Sequence, residues 1–164
     1  MAEKEMSLRG MLQRLPHAWA KIRGSAAYPG IRGKVDFYQT DQGVVVLAEL
    51  AGLPGAESGC GNRVFAFHIH EGSKCEGNAE DPFAEVGKHY NPRDCPHPEH
   101  AGDLPPIFSN NGYAIQMFLT DRFNVEDIIG KTIIVHSGPD DFTSQPAGNA
   151  GKKIACGEII PGVY

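Results

Sequence analysis

Phe67-His68-Ile69-His70 sets two imidazoles two residues apart. In an extended strand that spacing aims both rings to one face and sends Phe65, Phe67 and Ile69 to the other. Two histidines so placed are half of a metal site. Further along stand His89, His97, His100 and Asp103, and a later apolar run ends at His136. Six of the seven histidines fall in these segments, and only His17 lies outside them. A lone histidine is usually a satisfied surface or core side chain, which is the reading for His17. Six at strand ends and in one apolar-poor segment point instead to a metal centre, because imidazole suits zinc and copper and an added carboxylate suits zinc further.

The elements that must position these residues have a period of two. Segments 18–23, 30–39, 43–50, 63–70, 112–120, 132–136 and 154–160 read as short antiparallel strands. Turn signals such as Tyr28-Pro29-Gly30 and Thr40-Asp41-Gln42-Gly43 punctuate them. Many short strands with almost no helix point to an all-β sandwich or barrel. Residues 7–17 have a weak helical pattern ended by Pro16, so 1–17 reads as an N-terminal extension, a short helix or a loose tail, ahead of one domain over 18–164. Between His70 and Gly112 the alternation stops for about forty residues, far beyond the roughly 4–6 of an ordinary connection. That segment is rich in Gly, Pro, Asp and Asn, so its order is expected to come from covalent or metal cross-links. A second long connection covers 137–153.

Bulk properties exclude several classes. The 164 residues suit one domain, and a net charge of -5 offers no footprint for nucleic acid or an anionic membrane. No stretch approaches the roughly 18 apolar residues of a membrane span. Residues 1–14 lack a secretory signal pattern, Glu3, Lys4, Glu5 and Arg9 interrupting any apolar run, which reads as cytoplasmic, although four cysteines suit an oxidising compartment equally well.

The ordered set His68-x-His70, Gly87-Lys88-His89-Tyr90-Asn91-Pro92, His97, His100-Ala-Gly-Asp103-Leu104, Gly130-Lys-Thr-Ile-Ile-Val-His136 and Gly148-Asn-Ala-Gly-Lys-Lys153-Ile-Ala-Cys156-Gly157 resembles the copper/zinc superoxide dismutases over about 18–160. The resemblance implies an eight-stranded antiparallel Greek-key barrel, a sandwich of the immunoglobulin-like kind, with two long functional loops. It makes His68, His70, His89 and His136 copper ligands, and His89, His97, His100 and Asp103 zinc ligands, His89 bridging the two metals. It implies a superoxide dismutase that turns two superoxide anions into oxygen and hydrogen peroxide. A homodimer is left open. Asp140 stands where the family has a carboxylate joining a copper-side and a zinc-side histidine, with Asp141 adjacent as the competing choice. Lys153, beside Lys152, stands where the family usually has an arginine that meets the anion. It keeps the charge but not the forked donor array, so weaker orientation of superoxide is expected.

The resemblance also implies a disulfide between Cys75 and Cys156. Cys60 and Cys95 are then left over, and three readings remain open for them: a second bridge, two free thiols, or Cys95 as a zinc ligand two residues before His97. His97 and His100 are three apart, closer than is common in the family, and 137–153 looks trimmed, which would open the channel to copper. The rival from another class is a copper- and zinc-binding protein on the same barrel that buffers or delivers metal, with weak or no dismutase activity.

Overall fold

The computed structural model describes residues 7–55 and 60–163. Eight strands form one antiparallel sheet: β1 (Ala18–Gly24), β2 (Arg32–Thr40), β3 (Gly43–Ala51), β4 (Val64–His70), β5 (Asp103–Phe108), β6 (Tyr113–Thr120), β7 (Thr132–His136) and β8 (Lys153–Pro161). Their order, β5-β4-β7-β8-β1-β2-β3-β6, is a Greek key, since the connections β3–β4 and β6–β7 each join strands that are not neighbours in the sheet. The edge strands β5 and β6 are consecutive in sequence. Asn111 and Gly112 join them with φ of 51° and 83°, the pair of positive angles that a tight hairpin turn requires. An isolated bridge Asn110–Tyr113 and a bond from Gln116 Nε2 to the Pro105 carbonyl (3.0 Å) help close the seam, so the sheet is a nearly closed barrel.

Seven of these strands match the alternation in the sequence, but β5 does not. It lies inside the segment expected to be wholly irregular, and its Pro105 and Pro106 mask it. Proline is tolerated on an edge strand, where one side of the backbone needs no ladder partner. The irregular part therefore ends at 102. Short helices α1 (Leu8–Leu12) and α2 (Val125–Ile128) and a 3₁₀ turn at Ala84–Val86 complete the fold among the described residues. Ser7 caps α1, its Oγ accepting from the Gly10 amide at 3.2 Å. His17 accepts from the Gln39 amide through Nδ1 and is an ordinary satisfied side chain, as expected. No helix among the described residues is long and apolar enough to cross a membrane.

The barrel interior is filled from every strand, with Phe37, Phe65, Phe67, Ile22, Ile69 and Ile133 fully enclosed. Phe65, Phe67 and Ile69 point inward as alternation requires. The opposite face of β4, with His68 and His70, is nevertheless buried too, because the two long loops lie over it. A second, smaller apolar cluster explains how the first loop is held down. Phe83 and Val86 pack on Ile134 and on the Cys75–Cys156 disulfide, outside the barrel wall. That bridge spans 81 residues and contributes on the order of 4 kcal/mol in the chain-entropy model.

Phe67 is enclosed on the strand that carries both His68 and His70. Phe67→Ala is expected to lower stability by about 3–5 kcal/mol. Urea unfolding should show this as a lower midpoint with an unchanged slope.

Candidate metal centre

Ladder register places the rigid part of the site. His68 faces Ile134 of β7 on one side and Asp103 of β5 on the other, and His70 faces Thr132. His136, at the end of β7, sits opposite Lys153 of β8. His89 comes from the long loop but is tied to the barrel by its backbone. It forms an isolated bridge with His70, and the flanking Tyr90 amide donates to the Ile69 carbonyl at 2.8 Å. The loop residues are thus an added backbone layer on β4.

His68, His70, His97 and His136 each have one nitrogen engaged outside the cluster and the other turned into it. His70 Nδ1 lies 2.9 Å from the Gly87 carbonyl, and its Nε2 faces His136 Nε2 at 3.4 Å. His68 Nε2 lies 2.7 Å from Asp140 Oδ2, leaving Nδ1 buried with no partner. His97 Nε2 meets the other oxygen of the same carboxylate at 2.8 Å. His89 Nδ1 is 2.7 Å from Asp103 Oδ1 and 3.3 Å from His100 Nδ1, while its Nε2 is buried and unpartnered among the described residues. Two four-membered donor sets result, His68, His70, His89 and His136 in one, and His89, His97, His100 and Asp103 in the other, sharing His89.

These contacts fit metal ions better than hydrogen bonds. His70 and His136 each direct Nδ1 at a backbone carbonyl, that of Gly87 at 2.9 Å and that of Gly151 at 3.4 Å, so a neutral ring has its one proton there and the facing Nε2 atoms are two bare lone pairs. A tetrahedral ion with bonds of 2.0–2.1 Å separates two of its ligands by roughly 3.4 Å, which matches the 3.3 and 3.4 Å observed between ring nitrogens. His97 Nδ1 comes within 2.9 Å of Asp103 Oδ2 without the alignment of a hydrogen bond, as two ligands of one ion would. Protonation does not relieve the crowding. Burial, with the neighbouring His68 adding to it, pushes His136 down to about 3, and burial likewise lowers His68, His70 and His100. For Asp103 and Asp140 burial acts the other way, but hydrogen bonds, from His89 to Asp103 and from His68 to Asp140 first, outweigh it and hold both carboxyls below their ordinary range. Imidazoles of lowered basicity at His68, His70, His100 and His136 and ionised carboxylates at Asp103 and Asp140 are a set suited to borderline cations.

The structure brings all seven predicted ligands together and selects Asp140 over Asp141. Asp140 is buried between His68 and His97, whereas Asp141 is exposed and caps its own turn through Thr143 and Ser144. Gly148, at φ +67°, passes so close over Asp140 and His97 that a Cβ there would collide with both. Cys75 and Cys156 are bonded, but the second bridge is corrected: Cys60 and Cys95 are free thiols, the first exposed and the second half-buried. Asn91 holds both the amide and the carbonyl of Cys95, and the sulfur turns toward the Arg93 carbonyl, so Cys95 is in neither donor set. Lys153 Nζ is engaged by Asp81 Oδ2 at 2.6 Å and by the Phe83 carbonyl at 3.0 Å.

Two supporting residues have no signal in the sequence. Arg122, between β6 and α2, donates through Nη1 to the carbonyls of Pro98 and His100 at 2.7 and 3.0 Å, gathering the segment that carries His97 and His100. Gln145 pairs with both backbone groups of His97, accepting from its amide at 2.9 Å and donating to its carbonyl at 2.7 Å. Neither belongs to a local motif, since each acts across the fold.

Comparison with known proteins agrees with this geometry. The family model for copper/zinc superoxide dismutase (SODC) matches residues 31–159. Superoxide dismutase (Cu-Zn) 2 of Aquifex aeolicus is 36% identical over 142 residues, covering 77% of this chain and 78% of that protein. The Photobacterium leiognathi enzyme is 32% identical over 142 residues, with the same two shares. Among solved structures, a SOD-like protein from Bacillus subtilis superposes with a TM-score of 0.70 at 25% identity, over 88% of this chain and 99% of its own. With the barrel, the shared histidine and the family match in agreement, this chain belongs to the copper/zinc superoxide dismutase family.

Proposed function

We propose that this chain is a superoxide dismutase in which His68, His70, His89 and His136 hold copper, and His89, His97, His100 and Asp103 hold zinc. The overall reaction takes two superoxide anions and two protons to one oxygen and one hydrogen peroxide. Copper supplies the one-electron couple for this, and zinc supplies fixed positive charge. The observation that carries the reading is His89, whose two nitrogens belong to different donor sets. Its Nε2, buried and free of other partners, is the atom at which the chain can take up a proton and pass it to the peroxide. Asp103 at Nδ1 keeps the opposite end of the ring fixed meanwhile. His68 and His70, held by Asp140 and the Gly87 carbonyl, keep their own ligating atoms aimed while the proton moves.

One observation favours the metal-buffering alternative, namely that the Lys153 cation is engaged by a carboxylate instead of facing the approaching anion. Copper and zinc analysis combined with a superoxide assay separates the two readings. Dismutation predicts near-equal copper and zinc with rapid turnover, and tight copper with negligible turnover supports buffering. The Cys75–Cys156 bridge supports a working compartment oxidising enough to keep it.

His136→Ala, or removal of copper, should reduce superoxide consumption to background; unchanged rates in either case overturn the enzyme. Asp140→Asn replaces a double acceptor by a group that can accept from only one of His68 and His97. Metal affinity should fall about 10- to 100-fold, read by competition with a chelator. A homodimer is supported by the exposed row Tyr113, Ile115, Met117 and Leu119 on the outer face of β6, beside Phe108. Sedimentation at micromolar concentration should give twice the 17.7 kDa chain mass, and a monomer would remove that part of the reading.

A further inference from the structure

The charge beside the copper-side set is arranged unexpectedly. Lys153 lies directly across the β7–β8 ladder from His136. A positive group there suits an anionic substrate, the more so in a chain of net charge -5. Yet Nζ spends two of its three donors within the protein, on Asp81 at 2.6 Å and on the Phe83 carbonyl at 3.0 Å.

Asp81 is not a loose surface carboxylate that happens to lie nearby. Its Oδ1 accepts from the Phe83 amide at 3.1 Å, its own amide donates to Asn78 Oδ1 at 2.9 Å, and its carbonyl accepts from the Asn78 amide at 2.9 Å. The turn is itself fastened to the barrel by Phe83 and Val86 packed on Ile134, and by the Cys75–Cys156 bridge three residues beyond Lys153. Little side-chain freedom remains to be lost when the carboxylate meets the ammonium, so this pair escapes much of the entropy that makes ordinary surface pairs weak. Asp81 is the carboxylate that meets Lys153 among the described residues, while Glu158 faces Lys74 at 3.6 Å and Glu71 accepts from the Lys88 amide at 3.3 Å.

We propose that Asp81 is an electrostatic brake: by pairing with Lys153 it neutralises the cation beside the copper-side histidines and holds it on the disulfide loop, limiting capture of anions at that site. Asp81 touches neither metal ligand nor substrate and acts through Lys153, which makes it a positioning residue that sets the rate. This rests on the dismutase reading above, because it needs a copper site that an anion reaches from the Lys153 side.

The experiment uses the chain loaded with copper and zinc and titrates azide, an anion that binds copper, by the change in the copper absorption spectrum. Asp81→Asn keeps an acceptor for the Phe83 amide and removes the charge. It should tighten azide roughly threefold to tenfold at low ionic strength, with the gain shrinking toward none in about 0.5 M salt, where charges are screened within about 4 Å. Superoxide consumption at low salt should rise in the same proportion. In a Lys153→Gln background, Asp81→Asn should gain nothing beyond the general effect of removing one negative charge, estimated from a Glu85→Gln control. Metal content and the melting temperature of each variant establish that it is folded and loaded, and Asp81→Ser serves in place of Asp81→Asn if the latter is not. Equal azide affinity in the parent and the Asp81 variant overturns the brake, as does a gain of equal size with and without Lys153. A parent that holds copper yet neither binds azide nor consumes superoxide overturns the dismutase reading itself, and the brake with it.

Discussion

Six imidazoles and two carboxylates buried in one volume cannot satisfy one another. Pairs of ring nitrogens face each other at 3.3 and 3.4 Å, and His68 Nδ1 and His89 Nε2 have no hydrogen-bond partner among the described residues. Burial keeps rings such as His136 neutral, so the repulsion is not of charge but of lone pairs and lost hydration. Cations resolve it, and much of the remaining architecture serves to keep these groups from escaping into other conformations before a cation arrives.

The barrel provides the first restraint and the loops provide the second. β4 and β7 carry His68, His70 and His136 on a surface whose reverse is packed with Phe65, Phe67 and Ile133, so the three rings have a fixed origin. His89 is joined to the same wall through its bridge with His70, and Asp103 is the first residue of β5. His97 and His100 have no strand to hold them. Gln145, Arg122 and the Asp140 carboxylate hold them from three sides, and Arg122 in particular satisfies carbonyl groups that an irregular loop would otherwise bury unpaired. Asp140 thereby couples the two donor sets, since displacement of His97 is felt at His68 through one carboxylate.

The same division explains which parts of the fold and the site are legible in the sequence. Alternation in segments such as 43–50 and 63–70 survives because a barrel strand has one dry face, so inward positions must be apolar whatever the function. β5 is not legible, since Pro105 and Pro106 break the pattern and only its edge position makes them harmless. Cys60 and Cys95 admit three readings in the sequence because a disulfide depends on the approach of two backbones, which spacing along the chain does not specify. In the structure both thiols are free. Asp140 and Asp141 are equivalent as sequence neighbours, and a single step in the turn buries one and exposes the other.

The amino-acid sequence alone settles the donor inventory: which side chains can bind metal, in what order, and which of them ride on a strand. Ligand chemistry is a property of residue type, and strand periodicity is a property of local backbone geometry, so both are written in the chain. The folded arrangement is needed to settle which ring nitrogens are spoken for, and that Arg122 and Gln145 hold the loop that carries His97 and His100. It is needed equally to establish that Lys153 is paired with Asp81 instead of standing free. Those are matters of distance between segments as far apart as residues 81 and 153, and such distances arise only when burial and chain connectivity are satisfied together.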